Sequence, residues 1–134
     1  MFGIRSRVGI ASATAAAMLA LTPASARAPE LAMLETLNDG AWTLRLRSEG
    51  TSQRICVRTG RELIQIRHRQ PNCDRFVVQD EADVVTVQYT CRGNGYGRTT
   101  IRREGPDVVQ VRSQGIYGDA PFSIEGEARH SGSC

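Results

Sequence analysis

The sequence predicts a mainly β domain: an antiparallel curved sheet or half-barrel meander with one or two short helices and two disulfides. Residues 83–113 contain three runs in which apolar and polar residues alternate, namely DVVTVQYTC, RTTIRRE and DVVQVRS. Side chains on a strand switch faces at every residue, so each run predicts a strand. The turns between them, RGNGYG and GP, are typical of antiparallel hairpins.

The first 26 residues have the features of a Sec-type signal peptide. Arg5 and Arg7 precede an apolar stretch over residues 8–21, and the small residues Ala24-Ser25-Ala26 follow. The apolar stretch has about 14 residues against the ~20 of a spanning helix, so we expect cleavage after Ala26 and no stable membrane anchor. Residues 27–134 would then form a single small β-rich domain in the periplasm or outside the cell.

Cleavage at that position would lower the formal net charge of the chain. The chain has 17 basic and 14 acidic residues. Loss of Arg5 and Arg7 leaves 15 against 14, a formal charge of +1 instead of +3. Bulk charge therefore does not favour nucleic-acid binding, and we expect no nucleic-acid partner.

The four cysteines are expected to form two structural disulfides, because an even number in a short exported chain is typical of a disulfide framework. Three pairings are possible. We favour Cys56–Cys73, which closes a short loop around a predicted helix, with Cys91–Cys134, which ties the terminus to the central strand. The alternative is the nested pairing of Cys73–Cys91 with Cys56–Cys134.

The rest of the chain predicts further strands and two helices. Strands are expected at residues 42–47, 53–57, 74–79 and 121–128, and a helix at residues 29–37. In the third of these strands Phe76 and Val78 share a face, and in the last Phe122 and Ile124 face the core.

A second helix is expected after Thr59. Thr59 and Glu62 fit the capping-box pattern, in which a threonine cap is followed three residues later by glutamate. The helix would end before Pro71. Ile64 and Ile66 also alternate as they would on a strand, and the capping box favours the helix.

No group of residues predicts catalysis. His68 and His130 are expected to be exposed, they show no metal-ligand spacing, and the sequence contains neither C-x-x-C nor G-x-S-x-G. The acidic cluster of residues 80–83 lacks calcium-loop spacing. Residues 93–97 are rich in glycine, but a strand follows them where a phosphate loop would need a helix. We therefore expect a non-catalytic protein with no metal and no cofactor.

Arginines on neighbouring predicted strands are the candidate anion-binding residues. They are Arg98, Arg102, Arg103 and Arg112, which Arg45 and Arg47 could join. A cross-strand arginine cluster can bind a lipid headgroup, a glycan or a polyphosphate. The alternative is a solvated face paired with Glu104, Glu125 and Glu127.

Five short motifs occur in a characteristic order. They are Gly40-Ala41-Trp42, Cys56-Val57-Arg58-Thr59, C-x-x-F from Cys73, V-x-Y-x-C ending at Cys91, and R-x-S-G-x-C ending at Cys134. Together they resemble the bacterial family called domain of unknown function 3617. The resemblance implies a small exported protein and carries over no catalytic residue. The segment between Val57 and Cys73 departs from the family, many of whose members look longer and Met-rich there.

These observations favour a binding module for a small apolar or anionic ligand, held on the concave side of the sheet or on its arginine face. Small curved sheets can hold such ligands, but this argument is a fold-level analogy. The alternative is an envelope structural, protein-interaction or stress-related protein.

Overall fold

A computed structural model describes residues 30–134 and confirms the predicted mainly β fold. Seven strands form one antiparallel, curved sheet that does not close. They are β1 (Gly40–Leu46), β2 (Thr51–Val57), β3 (Asp74–Asp80), β4 (Val84–Cys91), β5 (Gly95–Gly105), β6 (Val108–Tyr117) and β7 (Ala120–Gly132). The order across the sheet is β2-β1-β7-β6-β5-β4-β3. The predicted signal peptide lies outside the described residues.

Strands β4, β5 and β6 are the three alternating runs of the sequence. In register, Val87 pairs with Thr99, and Thr99 pairs with Ser113. Their side chains are buried on one face of the sheet, while the neighbouring Gln88 and Arg98 are exposed. This alternation is what an antiparallel sheet with one covered face requires.

Strand β7 is longer than the sequence predicts. The pattern ends at residue 128, but the strand continues to Gly132 and pairs with β6 on one side and β1 on the other. The polar residues at its end pair with β1, and His130 lies opposite Trp42. The last strand therefore joins the first strand to the rest of the sheet.

Strand β3 places its apolar residues differently from the core strands. Phe76 and Val78 have relative exposures of 70% and 41%, and the intervening Val77 packs against the core. The pairing with β4 shifts register between Val77 and Gln79. Such a bulge bends an edge strand and interrupts its pairing pattern.

Both predicted helices are short 3₁₀ helices, at Ala32–Thr36 and Arg61–Leu63. Half of the capping box forms: the Thr59 amide donates to a Glu62 carboxylate oxygen at 3.2 Å, but the Thr59 hydroxyl accepts from the Arg61 amide, at 3.3 Å, and the N-cap of the helix is Gly60. The helix does not continue, because Leu63 and the residues after it are buried and follow an irregular path.

The concave face of the sheet is covered by the chain itself. The N-terminal 3₁₀ helix covers part of it through Leu31, Met33, Leu34 and Leu37, which are all buried. The connection from β2 to β3 (residues 58–73, the crossover segment) runs from one edge of the sheet to the other. Its Leu63, Ile64 and Ile66 join the core, as the apolar face of a sheet needs a second layer.

The disulfides follow the nested alternative, and the favoured pairing is wrong. Cys56 bonds to Cys134 and Cys73 bonds to Cys91, with Cα–Cα distances of 5.7 Å and 4.4 Å. Cys73 precedes β3, whose first residue Asp74 pairs with Thr90, so Cys73 lies beside Cys91. Cys134 follows β7 and reaches past β1 to β2, because β1 lies between these strands.

No helix within residues 30–134 combines the length and apolar character needed to cross a lipid bilayer.

The two disulfides should differ in their resistance to reductant. Both Cys56 and Cys134 are exposed, whereas Cys91 is buried. We expect a brief treatment with mild reductant under native conditions, followed by alkylation and peptide mapping, to label Cys56 and Cys134 first, because thiol–disulfide exchange requires access to sulfur. Simultaneous labelling of all four cysteines, or peptides linking Cys56 to Cys73, would contradict the assignment.

Candidate functional site

A cleft of about 580 Å³ is lined by both edge strands of the sheet and by the crossover segment. We call it the seam cleft. Strand β2 contributes residues 53–56, the crossover segment contributes nine residues between Thr59 and Pro71, and β3 contributes Arg75. Because β2 and β3 are the two edges of an unclosed sheet, the crossover segment is flanked here by strands that do not pair with each other.

The charged side chains around the seam cleft are predominantly basic. Four are arginines, at positions 54, 61, 69 and 75, and one is Glu62, which gives 4 − 1 = +3. Within residues 30–134 none of these arginines forms an ion pair with a carboxylate. Glu62 therefore offsets only part of their positive charge, and the lining of the cleft keeps a net charge of 4 − 1 = +3.

Neutral acceptors hold three of the four guanidinium groups. Arg54 Nη2 donates to the Ser133 carbonyl at 2.7 Å, and Arg61 Nη2 donates to the Glu30 carbonyl at 3.1 Å. Arg75 donates from Nε and Nη2 to Gln65 Oε1, at 2.9 Å and 2.6 Å. Neutral partners orient an arginine without cancelling its charge, and its planar fork retains donors for a carboxylate or a phosphate.

Gln65 connects Arg75 to the core. Its side chain is buried, and its Nε2 lies 2.8 Å from the His68 carbonyl and 3.3 Å from the Gln70 carbonyl. These bonds fix the side-chain amide of Gln65. They therefore also fix its Oε1, which accepts the hydrogen bonds from Arg75. The guanidinium is therefore oriented by a rigid part of the structure, which favours binding because less side-chain entropy is lost.

Gln53 brings a polar group with no partner to the same cleft. Its Nε2 is buried and makes no hydrogen bond within the described residues. An unsatisfied buried donor costs about 1–3 kcal/mol, so a small rotation of this amide toward an acceptor, such as a water molecule in the cleft, would stabilise the structure.

His68 is buried, contrary to the prediction that it is exposed. Its Nε2 lies 2.8 Å from the Asn94 carbonyl and 3.0 Å from the Ile116 carbonyl, and its Nδ1 lies 3.0 Å from the Tyr89 hydroxyl. Since carbonyls only accept, Nε2 carries the proton, and Nδ1 accepts from Tyr89. A Cβ on Gly97 would collide with the Tyr89 hydroxyl, so glycine is needed there to admit the ring.

This arrangement is structural. No carboxylate within residues 30–134 hydrogen-bonds to His68, so the base–orienter pair of a hydrolase is not formed around it. His130 is partly exposed, with its Nε2 3.0 Å from the Asp39 carbonyl and its Nδ1 3.9 Å from Asp107 Oδ1. No local sequence signal distinguishes the buried histidine from the partly exposed one.

The arginines singled out by the sequence lie on two different faces. Arg98, Arg102 and Arg112 are exposed on the outer face, whereas Arg103 pairs with the buried Val109 and has a buried Nε with no partner in residues 30–134. The four residues therefore do not form one cluster, and their anion-binding role stays a prediction.

Carboxylates lie beside Arg102 and Arg112 of the outer face, and beside the nearby Arg47. Arg112 and Arg47 lie 3.2 Å and 3.5 Å from Glu125, and Arg102 lies 3.7 Å from Glu104. The hydrogen bond from Arg112 and its positive charge, helped by Arg47, lower the pKa of Glu125. This face resembles the solvated, paired alternative, and its exposed ion pairs contribute little to stability.

Removal of the His68 hydrogen bonds should destabilise the fold. We expect His68→Leu to reduce the free energy of unfolding by about 3 kcal/mol, because it leaves buried polar groups of Tyr89, Asn94 and Ile116 without their partner. Urea unfolding with intact disulfides measures this loss. The control His130→Leu should change stability by less than about 1 kcal/mol. A similarly small loss for His68→Leu would show that these bonds are dispensable.

Stability should fall at alkaline pH through Tyr89. Burial raises the pKa of Tyr89 above 10.0, while its hydrogen bond with Ser113 opposes this. Because the unfolded tyrosine loses its proton first, the stabilisation is present below about pH 10 and is lost as pH rises through the folded-state pKa. Urea unfolding from about pH 9 to about pH 11.5 should show a shallower decline for Tyr89→Phe than for the unsubstituted protein. Equal slopes would contradict the burial argument.

Comparison of the chain with family models, curated proteins and solved structures gives no match. The case for the seam cleft as a site therefore comes from its geometry and charge.

Proposed function

We propose that this protein is an exported, periplasmic, non-catalytic binding module that takes a small anionic ligand in the seam cleft. The observation that carries the proposal is the set of four arginines around one cleft, none paired with a carboxylate of residues 30–134. The volume of about 580 Å³ lies within the usual range for small-molecule sites.

The filled core favours an anionic over an apolar ligand. A curved sheet can hold an apolar molecule on its concave side, but Leu63 and Ile64 of the crossover segment occupy that side and are fully buried. The accessible space lies at the edge of the sheet, where four arginines lie beside apolar side chains such as Ile55 and Pro71, so an anionic group can be bound there.

Export is supported by the covalent framework. Both disulfides are formed, which is compatible with an oxidising compartment. The predicted signal peptide of residues 1–26 also favours export, as does the resemblance to domain of unknown function 3617. Both stay predictions.

Binding in such an open cleft should be weak and sensitive to salt. Exposed charges are screened over about 8 Å at physiological ionic strength, so guanidinium groups at a surface attract anions mainly through direct hydrogen bonds. We expect a ligand with two or more negative oxygens, which can bind more than one arginine.

The proposal is tested with paired arginine substitutions of equal charge change. Isothermal titration with pyrophosphate at low salt should show binding that Arg69→Ala with Arg75→Ala weakens by more than about tenfold, since each hydrogen bond to a charged group contributes about 1.5–3 kcal/mol. Arg102→Ala with Arg112→Ala on the outer face is the control, and it should leave the affinity nearly unchanged. Equal weakening by both pairs would assign binding to overall charge, and no binding by the unsubstituted protein would refute the site.

A protein-interaction role in the envelope is the second candidate. It is favoured by Phe76 and Val78, which are exposed on the edge strand β3. Exposed apolar residues on a sheet edge are typical of contact surfaces. In that case Phe76→Ser would abolish association with a partner protein and leave pyrophosphate affinity unchanged.

A further inference from the structure

The seam cleft continues into a second cleft. This second cleft has a volume of about 600 Å³ and shares residues Gln53, Ile66, Arg69 and Gln70 with the first. Shared lining residues make the two clefts adjoining parts of one groove. Beyond Arg69 the lining changes to the end of the β6–β7 hairpin, which contributes Tyr117, Pro121 and Phe122.

From this continuity we infer that the groove binds an amphipathic anion, with its charged group among the arginines and an aryl or short aliphatic group against Tyr117 and Phe122. The inference rests on the proposed function and adds to it the class of ligand. We call the side chains of Tyr117 and Phe122 the aromatic wall.

His68 packs against both rings of the aromatic wall. The rings of Tyr117 and Phe122 have centroids 5.2 Å and 5.7 Å from that of His68, at interplanar angles of 66° and 58°. His68 is itself fixed by its three hydrogen bonds. Tyr117 remains 49% exposed, so its ring has a supported side and a side open to the groove.

Charge is concentrated at the other end of the groove. Arg67 lines the aromatic part but is paired with Glu49, so it adds no net charge. The side-chain oxygen of Gln70 already accepts a hydrogen bond from Asn94 Nδ2, at 2.8 Å. Arg69 lines both parts and makes no ion pair within residues 30–134.

The junction between the two parts therefore offers donors to an anion. The exposed Arg69 supplies a guanidinium group with several N–H donors. A ligand whose negative group lies at this junction can place an apolar substituent on the aromatic wall. Burial of that substituent against a ring adds affinity that a bare inorganic anion cannot obtain.

Three probes separate the two contributions. They are inorganic phosphate, phenyl phosphate and benzyl alcohol, each titrated by calorimetry or by amide chemical-shift changes at low salt. We expect phenyl phosphate to bind about tenfold more tightly than inorganic phosphate, which corresponds to one aromatic contact, and benzyl alcohol to bind more weakly than either.

Substitutions assign each contribution to its residue. Tyr117→Ser should abolish the preference for phenyl phosphate and leave inorganic phosphate binding unchanged. Tyr96→Ser is the matched control, because Tyr96 is 48% exposed on the neighbouring strand and does not line the groove. Arg69→Gln should weaken both phosphates. Urea unfolding of each variant shows whether the fold is retained, and Phe122→Leu tests the wall again if Tyr117→Ser is destabilised.

The outcomes distinguish this inference from the function on which it rests. Equal affinity for the two phosphates, or an equal effect of Tyr117→Ser and Tyr96→Ser, would overturn the amphipathic ligand and leave anion binding intact. Failure of both phosphates to bind while pyrophosphate binds would overturn this inference alone, and failure of pyrophosphate as well would overturn both proposals.

Discussion

The fold depends on hydrogen bonds that satisfy an irregular chain segment inside an apolar core. Backbone groups of a helix or strand pair with each other, but those of the crossover segment need side-chain partners. Thr99 Oγ1 donates to the Ile64 carbonyl at 2.6 Å, and Gln65 Nε2 donates to the His68 carbonyl at 2.8 Å. The His68 ring donates in turn to the Asn94 carbonyl in the β4–β5 turn and to the Ile116 carbonyl near the end of β6. These bonds allow a second layer that, within residues 30–134, contains short 3₁₀ helices and no α-helix.

The same segment forms the proposed site, so stability and binding are coupled through Gln65. The nitrogen of its amide holds the crossover segment, and the oxygen of its amide holds Arg75. A change in the path of the segment would displace the arginines and the core together. The aromatic wall is coupled in a similar way, because Tyr117 and Phe122 pack against His68. The groove is therefore positioned by buried groups although most of its lining is exposed.

Local sequence patterns predicted the hairpins β4–β5–β6 and the capping contact of Thr59, because alternation and turn residues act over short distances. They did not predict that Cys73 pairs with Cys91, since the pairing depends on strand order, and β2 and β3 lie at opposite edges. They also did not predict the burial of His68, whose partners Asn94 and Ile116 are 26 and 48 residues away. The seam cleft was missed for a different reason: its arginines all lie within residues 54–75, but their grouping depends on the path of the crossover segment between β2 and β3, the two edges of the sheet.

The disulfide pairing explains how the crossover segment is held. Cys56 and Cys73 lie just before the segment and at its end, and each bonds to another part of the sheet. A bond between them would have closed the segment on itself and left it free to detach from the sheet as a unit. The observed bonds close loops with sequence separations of 78 and 18 residues, worth about 4.5 and about 3 kcal/mol in the chain-entropy model. They also fix both ends of the segment against β7 and β4, so the buried hydrogen bonds of His68 form within a restricted geometry.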